Sequence, residues 1–405
     1  MTNGFRAGAD ARRAKWAIAA LFCILGFQYA TWAARLPTLK ARLGLSETEL
    51  GLLLMACGAG AAASFPLVAY LMRRLGSRRL ALASALLLAA VLVLLSVAPN
   101  YPVALLVICC DGVGVGALNV AMNAQGAALE TKFRRTAMAQ LHATFSAGLL
   151  GAALLASGVN LVTPALTAHF GAAVVLLMLL LAYARPGLLT DGEPQPAGAA
   201  GEDPDAQASG GTKKRSPALT VPSRMTLWMG CAMVFGTVTE GAMNDWSALY
   251  MKDVAKASGT LAPMGIAVVS GMMLVARVFA DRWRTRWGDG RVVRVGSAVA
   301  GIGLAVALLA GGVVPTLAGF ACVGLGAAAV TPCVYVAAAA RGSDALALVA
   351  AMGTTGLLVG PALIGFIAGA AGLVPGMAAV AVSALIVCLS ATRIRWGSLA
   401  PAAAK

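Results

Sequence analysis

The chain has 405 residues, 60% of them hydrophobic and 12% charged, and its mean hydropathy is +0.83. Soluble globular chains carry about 25% charged residues, so this composition disfavours a water-soluble enzyme, a secreted disulfide scaffold and a disordered chain. The net charge of +15 would suit a nucleic-acid binder, but the basic residues stand in short clusters between long apolar runs, which is the pattern of a polytopic membrane protein.

A membrane-crossing helix needs about 20 mostly apolar residues, and the sequence predicts twelve. The first, 15–39, follows Arg6, Arg12 and Arg13 and carries Gln28, Trp32 and Arg35 on one helical face. A signal peptide is set aside, because this run holds Gln28 and Arg35 and more spans follow. Gln28 is expected to line a cavity. Arg35 lies near the end of the span and reads equally as a cavity charge or as a side chain snorkelling outward. The second span, 48–72, contains the small-residue run GAGAAA, suited to close helix packing in lipid. A basic loop, Arg73 to Arg79, leads to the third, 79–98.

The fourth span, 102–129, places Asp111, Asn119, Asn123 and Glu130 on one stripe about 120° wide. Asp111 is a candidate proton carrier, with a salt bridge to Arg35 as its structural alternative. Asn119 and Asn123 suit either a polar substrate or helix-to-helix bonding, and Glu130 fits a structural charge cluster with Arg134 and Arg135. The fifth span, 138–160, has His142 near its start, more in keeping with a packing hydrogen bond than with a proton relay. The sixth, 163–184, ends the first set of six.

The stretch 186–222 is rich in Pro, Gly, Ala and acidic residues and is expected to be a disordered cytoplasmic tether between halves. The expected domains are therefore 1–185, 186–222 and 223–405, two six-helix bundles and their linker.

The seventh span, 224–250, carries Thr237, Glu240, Asn244 and Ser247 on one face. Glu240 is well inside the span and is the first choice for a proton-coupling carboxylate. A buried charge costs about 2.5–3.5 kcal/mol at a helix centre on insertion scales and marks function. Asp245 points about 140° away from Glu240 and is expected to pair with Arg35 or Lys252 as a gate. Spans 261–281, 292–311, 314–339, 345–370 and 374–392 complete the twelve. Among them Tyr335, Thr354 and Thr355 are candidate cavity groups, although hydroxyl bonding within the helix is the default for the threonines.

With the N-terminus in the cytoplasm, most of the 31 basic residues fall on that side, so both termini are expected to be cytoplasmic. The eight cysteines all lie in apolar runs without metal-ligand spacing, and neither a metal nor a cofactor is expected. No GxxxxGK[ST] phosphate loop occurs, which disfavours ATP-driven transport. Nothing suggests an intramembrane enzyme: there is no HExxH and no nucleophile–base pair.

The halves resemble each other. GVGVGALNV at 112–120 parallels VGLGAAAVT at 323–331, SAGLLGA at 146–152 parallels TTGLLVG at 354–360, and GFQYATW at 26–32 and GTVTEGAMNDW at 236–246 both end in tryptophan. Internal repeats of this kind belong to transporters with a site near the bilayer midplane.

The loop after the second span reads Ala69-Tyr-Leu-Met-Arg73-Arg74-Leu75-Gly76-Ser77-Arg78-Arg79. It resembles the G-x-x-x-D-R-x-G-R-R pattern of the major facilitator superfamily at Arg74, Gly76 and Arg78, and departs from it at Arg73, where the family has an acid. In the second half, Asp281-Arg282 keeps the Asp-Arg pair. The resemblance implies a gating role for Gly76, Asp281 and Arg282. Trp32-Ala-Ala-Arg35-Leu-Pro37, Met122-Asn123-Ala-Gln125-Gly126, His142-Ala-Thr-Phe-Ser146 and Glu240-Gly241-Ala-Met-Asn244-Asp245-Trp246-Ser247 look like the bacterial YbjJ-like group near the fucose-permease branch. That branch is one of sugar–proton symporters. Gly353-x-x-Gly356-x-x-x-Gly360-Pro361 resembles a Gly/Pro motif that antiporters carry in the fifth span, and the fifth span here lacks its proline.

The expectation is an all-α membrane protein of twelve helices in two pseudo-symmetric bundles. It would be a monomeric secondary transporter in a bacterial-type inner membrane, most simply a proton-coupled symporter of a sugar-like solute, and otherwise an antiporter exporting a drug or metabolite. A channel or receptor is less favoured, since there is no filter motif and no folded soluble domain. Substrate contacts are assigned to Gln28, Trp32, Asn119, Asn123, Asn244 and Tyr335, proton coupling to Glu240 and Asp111, and gating to Arg35, Asp245, Gly76, Asp281 and Arg282. The expected partners are a small-molecule substrate, the proton and the lipid bilayer, and not nucleic acid.

Overall fold

The computed structural model describes residues 2–133, 137–190 and 223–396, and the linker beyond 190 lies outside the described residues. In the first half, α1 (Thr2–Ala33), the short α2 (Leu36–Leu43), α3 (Glu47–Ala63), α4 (Phe65–Val97), α5 (Tyr101–Phe133), α6 (Met138–Val162) and α7 (Leu166–Ala184) follow in order. The second half contains α8 (Arg224–Asp253), α9 (Met264–Trp287), α10 (Asp289–Ala310), α11 (Val313–Ala327), α12 (Val330–Ala339), α13 (Ser343–Ala371) and α14 (Leu373–Arg393). No strand occurs among the described residues.

All twelve predicted spans are present. The first is α1, the second runs through α3 into the start of α4, the third is the remainder of α4, and the tenth is α11 with α12. Nine described helices are long and apolar enough to cross a bilayer by length and composition. α3, α8 and α9 are not among them: α3 is cut short at Ser64, α8 is studded with polar side chains, and the apolar part of α9 stops at Ala280. All three contribute to the polar site described below.

Local chemistry sets the helix ends. α3 starts in a capping box, with Glu49 N donating to Ser46 Oγ at 3.2 Å and Ser46 N donating to Glu49 Oε2 at 2.9 Å. Ser223 caps α8 by accepting from Thr226 N at 3.1 Å. Glu130 caps the next helix: its Oε1 accepts from the Ala137 and Met138 amides at 2.5 and 2.8 Å, at the start of α6, while Arg134 and Arg135, its expected cluster partners, lie outside the described residues.

The twelve spans alternate in direction, so α1 begins and α14 ends on one face of the molecule, the terminal face, opposite a far face. Within the first bundle α1 packs on α6 and α3 on α5; within the second α8 packs on α13 and α10 on α14. The bundles meet where α3 lies along α13 and α6 along α9.

The repeat extends to individual contacts. Gly148 of α6 abuts the α1 backbone at Cys23, and Gly356 of α13 abuts α8 at Val234 and Thr237. These are the SAGLLGA and TTGLLVG segments, and in each a missing side chain lets two helices approach closely. The terminal-face turns correspond as well. Gly76 breaks α4 at φ 75°, ψ 170°, and Gly288 joins α9 to α10 at φ 76°, ψ 151°, both in the left-handed region that favours glycine.

That second pairing corrects the expected register. The counterpart of the Gly76 loop is the turn at Gly288, and Asp281-Arg282 lies inside α9, more than one helical turn earlier. Arg282 is exposed there, and the side chain of Asp281 is outside the described residues.

Candidate functional site at the bundle seam

Two polar clusters sit on the seam, both reached from α8. In the first, nearer the far face, α1 contributes Gln28, Tyr29 and Trp32, α3 contributes Cys57, α5 contributes Asp111 and α8 contributes Asp245. Asp111 is fully buried. Its Oδ1 accepts from Gln28 Nε2 at 2.7 Å and its Oδ2 accepts from Cys57 Sγ at 3.7 Å, and Trp32 lies beside it. Asp245 is also buried, and its carboxylate accepts from the Tyr29 hydroxyl, a bond that joins the two bundles. Tyr29 and Cys57 are both within electrostatic reach of both acids.

Neither Asp111 nor Asp245 is ion-paired among the described residues; each is held by neutral donors. Several buried polar atoms around them lack a hydrogen-bond partner among the described residues, including Gln28 Oε1, Asn244 Oδ1 and the indole nitrogen of Trp246. Trp32 and Trp246 end the repeated segments of α1 and α8, and both are completely buried.

The second cluster is about one and a half turns closer to the terminal face. Arg277 of α9 donates through NH2 to Glu240 Oε1 at 3.1 Å and through NH1 to the Ser146 hydroxyl of α6. The guanidinium thus bridges the bundles as well. Its side chain is 21% exposed and that of Glu240 is 23% exposed. His142 stands one turn before Ser146 on α6, exposed on one side and edge-on to Phe22 at 5.0 Å on the other, within electrostatic reach of Arg277. Thr237 ties the site to α13 by donating to Gly353 O at 3.0 Å.

Arg35 pairs with neither acid assigned to it. It caps the break between α1 and α2, buried, and donates to Asn160 Oδ1 and Pro164 O. A guanidinium taken up by the α6–α7 corner has no reach left for Asp111 or Asp245. The crossing to the second bundle is made by Asn160, whose Nδ2 donates to Gly259 O at 2.7 Å. Beside it, Lys40 bridges Glu47 at 2.7 Å and Asp253 of α8 at 3.1 Å. His169 is buried nearby, and neither ring nitrogen has a hydrogen-bond partner among the described residues.

The remaining assigned residues are dispersed. Asn123 Nδ2 donates to Asn119 Oδ1 at 2.7 Å, an internal pair on the accessible face of α5. Tyr335 is half-buried against a separate apolar cluster of the second bundle. Thr354 and Thr355 donate to carbonyls one turn back. Gln125 serves the terminal face, where Nε2 donates to Ser77 Oγ at 2.7 Å and Oε1 accepts from Leu189 N at 2.9 Å, locking the Gly76 turn to the end of the first bundle.

Sequence reasoning missed Tyr29, Cys57, Ser146, Asn160 and Arg277 as site residues. Tyr29 adjoins Gln28 in the repeated segment, and Arg277 is a cation inside an apolar span; both signals were legible. Cys57 and Asn160 carry none.

Two six-helix bundles joined along a polar seam, with carboxylates at membrane depth, define a membrane transporter. The chain belongs to the Major Facilitator Superfamily, whose sequence profile matches residues 17–343. It is 32% identical over 387 residues to an uncharacterized MFS-type transporter of Yersinia pestis, covering 92% of this chain and 94% of that one. Among solved structures it is similar to a bacterial homologue of the human drug peptide transporters, with a TM-score of 0.71 at 17% identity, over 95% of this chain and 98% of that one. It is also similar to FucP in the outward conformation, with a TM-score of 0.59 at 16% identity, over 94% and 98%.

Proposed function

We propose that this transporter is a proton-coupled symporter of a small polar, sugar-like solute. It works by alternating access, as a monomer in a bacterial inner membrane with both termini and the linker in the cytoplasm. One observation carries the reading: Asp111 and Asp245, one from each bundle, are buried at the seam without a cation. An ionised carboxylate buried without a partner is costly, so a closed far side selects carboxyls that hold a proton. Opening that side admits water and allows the proton to exchange. A proton falling through 100 mV supplies about 2.3 kcal/mol, enough for roughly fifty-fold accumulation of a neutral solute.

The far face is where the bundles are latched, through Tyr29–Asp245, Asn160–Gly259 and Lys40–Asp253. The outer half of α8, Gly241 to Met251, is entirely buried. The arrangement fits a state closed outward, with the accessible Asn119, Asn123, Glu240 and Arg277 facing a path to the terminal side. Polar side chains accessible at membrane depth belong in a water-filled path rather than against lipid. The clustering of basic residues on the terminal face supports its cytoplasmic orientation. Symport is favoured over antiport by the absence of the Gly/Pro motif from the fifth span. The resemblance to the fucose-permease branch supports a sugar-like substrate.

The test uses purified protein in proteoliposomes with an internal pH dye and an imposed pH gradient. Sugars and sugar derivatives are added in turn. The expected result is uphill accumulation of at least one, with proton entry, both abolished by an uncoupler. Flux that is only downhill and indifferent to the uncoupler would overturn the coupling.

A further inference from the structure

The Arg277–Glu240 pair is built differently from the acids nearer the far face. Arg277 follows the start of α9 by thirteen residues and Glu240 precedes the end of α8 by thirteen. At 1.5 Å per residue both lie about 20 Å from the far face, near the middle of a bilayer that is about 40–45 Å thick with its headgroups. Both side chains are accessible there. A guanidinium offers five donors in a planar fork, and Ser146 and Glu240 each engage one end nitrogen. The contact to Glu240 is a single bond at 3.1 Å, leaving the bidentate capacity of the fork unused.

We propose that Arg277 is the anchor for a carboxylate on the transported solute, and that Glu240 is the internal anion that holds its place when the site is empty. The inference rests on the transporter reading above and sharpens its substrate class, from a polar solute to a small hydroxylated acid. The incoming carboxylate takes the guanidinium. Glu240 gives up that bond and takes a proton from the water path, so that one cation faces one anion before and after. Without that proton, two carboxylates would share a single guanidinium. The titratable groups facing Arg277 are Glu240 from α8 and His142 from α6. Ser146 holds the fork in place across the seam, so that binding is felt by both bundles.

The experiment measures binding without any gradient, as the rise in apparent Tm of the purified full-length protein. The probes are glucuronate against glucuronamide, gluconate against sorbitol, and lactate against lactamide. At least one acid is expected to stabilise the wild type while its neutral counterpart does not, more strongly as the pH is lowered from 8 to 6. Arg277→Gln loses that effect. Glu240→Gln binds the same acid about tenfold more tightly, the scale of one charge-assisted hydrogen bond, and without the pH dependence. If Arg277→Gln fails to fold, the Glu240→Gln arm decides. The inference is overturned if no acid stabilises the wild type, if the neutral counterparts do so equally, or if Glu240→Gln binds the acid no more tightly. An acid that binds through Arg277 but is carried only downhill would leave this inference standing and remove proton coupling. Uphill transport of a neutral sugar by Arg277→Gln would do the reverse.

Discussion

Glu240 and Asp245 lie five residues apart on the same helix, and the structure treats them in opposite ways. Glu240 faces α9, is partly accessible and has an arginine for a partner. Asp245 faces α1, is buried and, among the described residues, is held by a tyrosine hydroxyl alone. Five residues turn a helix by about 500°, so the side chains diverge by about 140°, enough to place one on an open wall and the other in a closed seam. Carboxylates of one helix can therefore be assigned different tasks by what they face. A paired, wetted acid is suited to exchanging partners with a ligand. An unpaired, dry acid is suited to reporting whether its compartment is open.

The sharpest way to break that distinction is to remove the protonatable group from each side in turn. Asp245→Asn and Asp111→Asn are expected to cut uncoupler-sensitive accumulation by at least tenfold while leaving exchange between equal concentrations nearly intact. The amide keeps the shape and one acceptor oxygen but has no proton to exchange. Glu240→Gln is expected instead to alter affinity first. If Glu240→Gln abolishes accumulation without changing affinity, and both aspartates are dispensable, the two centres have been assigned the wrong way round.

The twelve spans and the two-fold repeat were legible because membrane helices advertise themselves by apolar length, and because the repeat retains its small residues at helix contacts. The depth of Glu240 was legible by counting from Arg224, and the divergence of Asp245 from it by helical geometry. The partners were not. Asp245 was matched to Arg35 or Lys252 by charge complementarity, but Arg35 is consumed by Asn160 and Pro164 O on its own bundle, where a break in the first span aims it, and among the described residues Asp245 meets the Tyr29 hydroxyl and not Lys252. The nearest donor to Asp245 is an uncharged tyrosine. Asp281-Arg282 was placed at a loop because the Asp-Arg pair matches a family pattern, yet the turn follows the glycine that can adopt positive φ, at Gly288. In the first case charge complementarity was outweighed by a constraint from other helices, and in the second a family pattern was outweighed by the backbone freedom of one glycine.

A smaller effect separates the cross-bundle bond from the acid it serves. Tyr29→Phe keeps the ring and removes only the hydroxyl bond to Asp245. Net hydrogen-bond contributions run at about 0.5–1.5 kcal/mol, and at about 1.5–3 kcal/mol when one partner is charged. With Asp245 holding its proton in the closed state the lower range applies, and loss of the bond is expected to shift the population toward an open far side by roughly two- to thirteen-fold. Distances between spin labels at the far ends of α3 and α13 would show it. An unchanged distance distribution would mean that the bond follows closure without helping to hold it.

The weakest expected effect is at the far-face latch, and its value lies in its pH behaviour. Lys40 binds Glu47 within the first bundle and Asp253 across the seam. The hydrogen bond from Lys40 holds the Glu47 carboxyl below its ordinary value. A carboxyl depressed by folding contributes stability that is complete above its unfolded value, near 4.5, and is lost as pH falls through the lower folded value. Between pH 6 and 8 the Glu47 contact is therefore constant. Lys40→Ala is expected to lower the apparent Tm only slightly, since exposed ion pairs contribute about 0–1 kcal/mol. It is also expected to leave the shape of the pH–transport curve in that window unchanged, whereas Asp245→Asn flattens it. A Lys40→Ala protein whose curve flattens like that of Asp245→Asn would move the proton-sensing role from the buried acids of the seam to the latch at its mouth.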